Sequence, residues 1–169
     1  MKKKSVVSIS FLLLPTLLGA CGYHGQVSLP GRLKRIHLAV SNTGAFRPGL
    51  QAALTHALTQ RILGAGGRIV EEETLADATI QANITALESN PVAFDAKDIA
   101  RRFRMAVVLD LQVIQRKDQV ELAKEEIRGE AYYTAPLGIT GTQVAEDEAI
   151  HRALRDLADK VVTRVVEPF

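Results

Sequence analysis

Apolar and polar positions alternate along much of this chain, and where the alternation lapses the apolar spacing lengthens to that of a helix. Ile36, Leu38 and Val40 alternate with Arg35, His37 and Ala39, a period of two that predicts a first strand. "SNTGAFRPG" follows as a turn, with Pro48 well placed near a helix start. Between Gly49 and Leu63, Leu50, Leu54, Leu58 and Ile62 recur every four residues with Ala53 and Ala57 beside them, the apolar stripe of a helix. Gly64, Gly66 and Gly67 stop that helix, and "RIVEE" begins a short strand.

The cleanest alternation is "ATIQANITALE", where Ala78, Ile80, Ala82, Ile84 and Ala86 form one face and Thr79, Gln81, Asn83 and Thr85 the other. Such a strand belongs to a sheet covered on one side only. "RMAVVLDLQVIQ" repeats the pattern through Met105, Val107, Leu109, Leu111 and Val113, with Val108 and Ile114 on the opposite face. "RKDQ", Arg116 to Gln119, reads as a hairpin turn, and a return strand within Val120 to Thr134 places Ile127, Ala131 and Tyr133 on one face. A long helix closes the chain from Val144 to Val166, striped by Ile150, Leu154, Leu157, Val161 and Val165, with Thr142 as a possible N-cap. Its acids, Glu146, Asp147 and Glu148, lie early and Lys160 and Arg164 lie late, which complements the helix dipole. The predicted fold is α+β: two helices on one face of a largely antiparallel or mixed sheet of about four to five strands, its more polar face left bare.

Ahead of these elements, Lys2, Lys3 and Lys4 precede the apolar "VVSISFLLLPTLL" and the small residues Gly19 and Ala20. That order is an export signal with a cleavage site. The run is shorter than the ~20 residues needed to span a bilayer. Cys21, the only cysteine, follows at once and has no partner for an intrachain disulfide. Leu18-Gly19-Ala20-Cys21 resembles the lipobox of bacterial lipoproteins, in which the thiol takes a diacylglycerol thioether and the new amine is acylated. Residues 1–20 are then a removed signal, 21–31 a lipidated tether, and 32–169 one domain. Two or three chains anchor firmly where one gives only marginal binding.

Loss of the signal changes the charge. The full chain has 21 basic and 19 acidic residues; without its first 20, which hold three lysines and no acid, it is formally −1. Bulk charge therefore gives no argument for nucleic acid. Reactive constellations are scarce as well. Beyond the signal only Ser28, Ser41 and Ser89 are serines, none in G-x-S-x-G, and His24, His37, His56 and His151 are scattered without a metal motif. "GAGG" follows a helix, the wrong side for an anion at a helix N-terminus. Glu71-Glu72-Glu73 and Asp95/Asp98 read as solvated loops rather than catalytic pairs. No catalytic residue, cofactor or metal is expected, and a binding or assembly role fits better than an enzyme.

Two basic groups remain as candidate contacts for phosphates: Arg101, Arg102 and Arg104 just before one strand, and Arg116 and Lys117 in the turn after it. Guanidinium donors match phosphate bidentately. The groups are some 35–40 Å apart, so they need not form one site. Tyr132 shares the polar face with Arg128 and Glu130.

Cys21-Gly22-Tyr23-His24, Gly25, Leu29-Pro30, "IHLAVSNTGAFRPGLQAALTHALTQRI", "LADATIQANIT" and "EDEAIHRALRDLADKVVTRV" occur in an order that resembles the LPS-assembly lipoprotein family (LptE). The resemblance spans nearly the whole mature chain. It implies an outer-membrane lipoprotein on the periplasmic side, seated in the lumen of a β-barrel translocon (LptD) and binding lipopolysaccharide. Gly22, not aspartate, after the cysteine is compatible with outer-membrane delivery. The five cations above are then candidate lipopolysaccharide contacts by charge. The rival reading is an outer-membrane lipoprotein that regulates a periplasmic cell-wall synthase, which the short tether disfavours.

Overall fold

The computed structural model describes residues 29–31, 33–136 and 139–166. The expected signal, Cys21 and most of the expected tether lie outside them. The elements run β1 (Arg35–Asn42), α1 (Leu50–Gly64), β2 (Arg68–Ile69), a 3-10 turn (Glu73–Leu75), β3 (Ala78–Phe94), β4 (Ala100–Gln115), β5 (Val120–Thr134) and α2 (Ile139–Val166). The sheet order is β2-β1-β3-β4-β5. β1 pairs in parallel with β2 and β3, while β3–β4 and β4–β5 are antiparallel, so the sheet is mixed. Both helices cover one face, as the apolar stripes predict.

The α1 stripe is buried as expected, from Leu50 through Leu54 and Leu58 to Ile62. Its end is a Schellman turn: the Gly67 amide donates to the Ile62 carbonyl at 2.9 Å, and Gly66 donates to Leu63 at 3.0 Å. Gly66 supplies the left-handed φ of 81° that this turn needs. Leu29 is buried beside this turn, its amide donating to the Ala65 carbonyl at 3.0 Å.

Along β3 the expected face is buried only through Ala78, Ile80, Ala82 and Ile84. A register shift between Ile84 and Ala86 then turns Ala86 out, and Leu87 packs on the core instead. The exchange is sensible, because Leu buries more apolar area than Ala, and a bulge is how a strand changes face. β4 keeps its predicted face, with Met105, Val107, Leu109, Leu111 and Val113 all buried. β5 places Ile127, Ala131 and Tyr133 inward, and the Tyr133 ring stacks on Phe103 with centroids 5.2 Å apart.

α2 starts at Ile139, before the predicted Val144. Thr142 thus sits inside the helix rather than capping it, and its hydroxyl donates to the Pro136 carbonyl at 3.3 Å. The predicted stripe from Ile150 to Val165 is buried throughout. Gly129 of β5 is where helix and sheet come closest: a Cβ there would lie 2.2 Å from the Ala153 carbonyl oxygen.

α2 also closes the outer edge of the sheet. Arg152 donates to the Tyr132 carbonyl at 2.9 Å, Asp156 accepts the Glu130 amide at 2.8 Å, and Lys160 donates to the Arg128 carbonyl at 2.7 Å. Helix residues four apart thereby meet strand residues two apart, a rise of about 6.0 Å against roughly 6.8 Å.

Candidate functional site

The open face and the long β3–β4 hairpin are the surfaces that the helices leave uncovered. Register stacks the open-face side chains into rows. Ser41, Asn83, Asp110 and Glu126 make one row, and Ala39, Gln81, Gln112 and Lys124 the next. Together they line a shallow trough of about 540 Å³. Ser41 donates to the Asn83 side-chain oxygen at 2.9 Å, and Gln112 to Glu121 at 2.7 Å, so the trough is a polar, hydrogen-bonded surface.

Towards the hairpin the rows become charged. Arg128 reaches across β4 to Glu88 at 3.7 Å, and Arg104 lies 3.8 Å from Glu130. Between these pairs Ala106 and Val108 are only 2% and 3% exposed, although they face away from the helices. The face expected to be bare is therefore partly roofed by its own long side chains. Arg128 on β5 reaches over β4 to Glu88 on β3, and Arg104–Glu130 is a diagonal pair on neighbouring strands.

The five candidate cations separate into two groups and three kinds of environment. Arg101, Arg102 and Arg104 lie within β4, not before it, because the strand begins at Ala100. Alternation sends Arg102 and Arg104 to the open face with Tyr132, and Arg101 to the other side. Arg101 donates to Asp95 at 2.8 Å and holds the hairpin loop. Arg102 lies over the Tyr132 ring, 5.1 Å from its centroid, a cation–π geometry. No described carboxylate pairs with it. Arg116 is bonded to Glu73 at 3.1 Å, whereas Lys117 is exposed in the β4–β5 turn. The Arg104 and Arg116 positions are some 40 Å apart along the strand, at about 3.3 Å per residue. The structure therefore brings Arg102 and Arg104 together and leaves Arg116 and Lys117 at the opposite end.

The acidic residues mostly serve as local braces. Asp95 accepts the Ile99 and Lys97 amides at 3.1 and 2.8 Å as well as Arg101. Those backbone donors, Ile99 first, hold its carboxyl below the usual range. Asp77 accepts the Arg35 guanidinium at 2.7 and 3.1 Å and the amides of Lys34 and Arg35, pinning the start of β3 to the start of β1. Its carboxyl is also held low, chiefly by the Arg35 side chain. Glu73 accepts from Thr79 and Arg116. Among the described residues, no group of three or more His, Cys, Asp or Glu could hold a metal ion. No described helix is long and apolar enough to cross a membrane.

Sequence periodicity missed the distal half of the β3–β4 hairpin. Val92, Phe94 and Ile99 are 45%, 59% and 48% exposed there, and Phe46 is fully exposed in the loop after β1. A signal was present in "NPVAFDAKDI": three large apolar side chains crowded around a proline and two aspartates, with no stripe to bury them.

Solved structures show the same fold at low identity. The solution structure of an uncharacterized lipoprotein B from Nitrosomonas europaea has a TM-score of 0.55 and 18% identity, covering 86% of this chain and 89% of its own. The rare lipoprotein B from Shewanella oneidensis gives a TM-score of 0.54 at 11% identity, over 75% of this chain and 91% of its own. A hypothetical protein from Chlamydia trachomatis gives 0.58 at 9%, over 80% and 97%. No curated protein matches the chain. The family model described as LptE, Lipopolysaccharide-assembly, matches residues 33–165, from the residues before β1 almost to the end of α2. With the match running through every element just described, the chain belongs to the LptE lipopolysaccharide-assembly family.

Proposed function

We propose that this chain is a non-enzymatic outer-membrane lipoprotein, acylated at Cys21, which plugs and helps assemble the β-barrel lipopolysaccharide translocon LptD and aids lipopolysaccharide insertion into the outer leaflet. Family membership across residues 33–165 carries the reading. The geometry is compatible with it in one specific way. A sheet face bearing Ser, Asn, Gln and crossed ion pairs suits contact with a wet, polar lumen wall rather than lipid, where unmet polar groups are costly.

Within this reading Arg102 and Arg104 are the leading lipopolysaccharide contacts, beside Tyr132 on the open face. Arg116 and Lys117 would form a separate, weaker set, and Arg101 would act through the hairpin loop it braces. Phosphate recognition by a guanidinium is charge-assisted and frequently bidentate.

Purification of the lipidated protein from membranes should recover a large β-barrel in a one-to-one complex. Recovery of a peptidoglycan synthase as the stable partner instead would overturn the proposal. Cys21→Ala should accumulate as an uncleaved, mislocalised precursor, and its normal processing would remove the lipid anchor from the account. Arg102→Ala with Arg104→Ala should weaken lipopolysaccharide binding roughly tenfold at low salt and less at high salt, in line with the loss of charge-assisted bonds.

A further inference from the structure

We infer that the outer edge of β3, along residues 86–94, receives an extended strand from a partner polypeptide. β1 pairs with β3 only as far as Asn42 opposite Ile84. There the Thr43 and Gly44 amides both donate to the Ile84 carbonyl, at 3.0 and 3.2 Å, and the loop turns away. β3 continues to Phe94 with β4 on one side. No described backbone group pairs with its other side, which leaves roughly 30 Å of strand edge open at about 3.3 Å per residue, interrupted at Pro91, which has no N–H, and by register shifts on either side of Ala93.

Open edges are ordinarily blunted or covered, and this molecule does so at β5, where α2 supplies three side chains to the edge. The β3 edge has no such cover among the described residues. It carries exposed apolar groups instead: Val92 and Phe94 on the strand itself, and Phe46 on the loop where β1 departs. Aromatic residues are enriched in protein interfaces. A row of unmet N–H and C=O groups is complemented along its length by another extended backbone. Its preferred occupant is a segment with apolar side chains at alternate positions, able to cover Val92 and Phe94.

A second copy of this chain fits less well. Two-fold self-pairing would bring Pro91 of both copies into one ladder, each without an N–H. A foreign strand meets a single Pro91.

The inference rests on the proposed function for its occupant, a strand of the barrel partner. Backbone hydrogen exchange is measured for the full lipidated chain, alone and in purified complex with the barrel. The amides within residues 86–94 that point away from β4 should slow at least tenfold in the complex. Val92→Lys with Phe94→Lys, at positions already exposed, should lower barrel retention about tenfold without moving the melting temperature, while Leu63→Lys, exposed on α1 and off both this edge and the open face, should not affect retention. A complex in which these amides exchange as in the free chain, or retention unchanged by the two lysines, overturns strand addition alone. Concentration-dependent protection without any barrel would show self-pairing and overturn it as well. A chain that forms no barrel complex overturns both readings.

Discussion

Asp77 is visible in the sequence only as the second half of an Ala-Asp step before a long strand. In the structure it accepts two bonds from the Arg35 side chain and two from backbone amides. That arrangement favours the ionised carboxylate, so its folded-state pKa lies below the ordinary value of about 3.9. The sign follows from linkage. The stabilisation is complete above the unfolded pKa and is lost as pH falls towards the folded one. Thermal melts of the wild type and Asp77→Asn should therefore differ most near neutral pH and converge as pH drops below 4. A constant difference across that range would mean that the carboxylate's charge is not what matters. Residues of this kind are poorly legible in sequence, because a partner 42 positions away is set by the parallel pairing of β1 and β3. Buried stripe residues are the opposite case. Leu50, Leu54, Leu58 and Ile62 follow from period alone, whereas the exchange of Ala86 for Leu87 needs the bulge at Thr85 to be seen.

At the scale of elements, the α2–β5 seam ties a helical repeat to a strand repeat. Arg152, Asp156 and Lys160 meet residues 132, 130 and 128. The two rises differ by about 0.8 Å at each step, so the match has drifted by roughly 2.4 Å three steps on from Arg152. The next helix residue in the series, Arg164, makes an ion pair with the Glu125 carboxylate at 3.0 Å instead of reaching the backbone. Replacing Arg152, Asp156 and Lys160 together with Ala should expose the β5 edge. The expected outcome is a concentration-dependent dimer in sedimentation and a stability loss of about 2–3 kcal/mol, at ~1 kcal/mol per bond. A monomer of unchanged stability would show that the seam is incidental. The existence of β1, β4, β5 and both helices was legible from periodicity. The start of α2 was not: Thr140, Gly141 and Thr142 are weak helix formers, and the Thr142 hydroxyl donates to the Pro136 carbonyl at 3.3 Å, a bond that no periodicity shows. The hairpin beyond Glu88 was hidden similarly, since Pro91 and Asp95 break the alternation, while pairing with β4 carries β3 on to Phe94 through register shifts on either side of Ala93.

The whole molecule is polar in its layout. The β4–β5 turn, with Arg116 and Lys117, lies at the end where Leu29 enters the core, and the hairpin loop lies at the other. Arg116 is engaged with Glu73, whereas Arg102 meets Tyr132 and pairs with no carboxylate among the described residues. Arg116→Ala should thus lower stability by up to ~1 kcal/mol, the scale of a partly exposed ion pair, and Arg102→Ala by about 0.5 kcal/mol, the scale of an exposed cation–π contact. The two losses should add within about 0.5 kcal/mol, because the sites share no neighbours. Strong coupling in denaturant titrations of the double variant would contradict the separation. The candidate site was half legible for the same reason: sequence finds clusters of like charge, but not which members are already neutralised by acids from other elements.

The length of β3 sets a measure for anything that holds this protein. From Ala78 beside the N-terminal entry to Phe94 at the tip it covers roughly 50 Å, while the hydrocarbon layer of a bilayer is about 30 Å thick. A host that encloses this strand from end to end along the bilayer normal must therefore be taller than the hydrocarbon layer is deep.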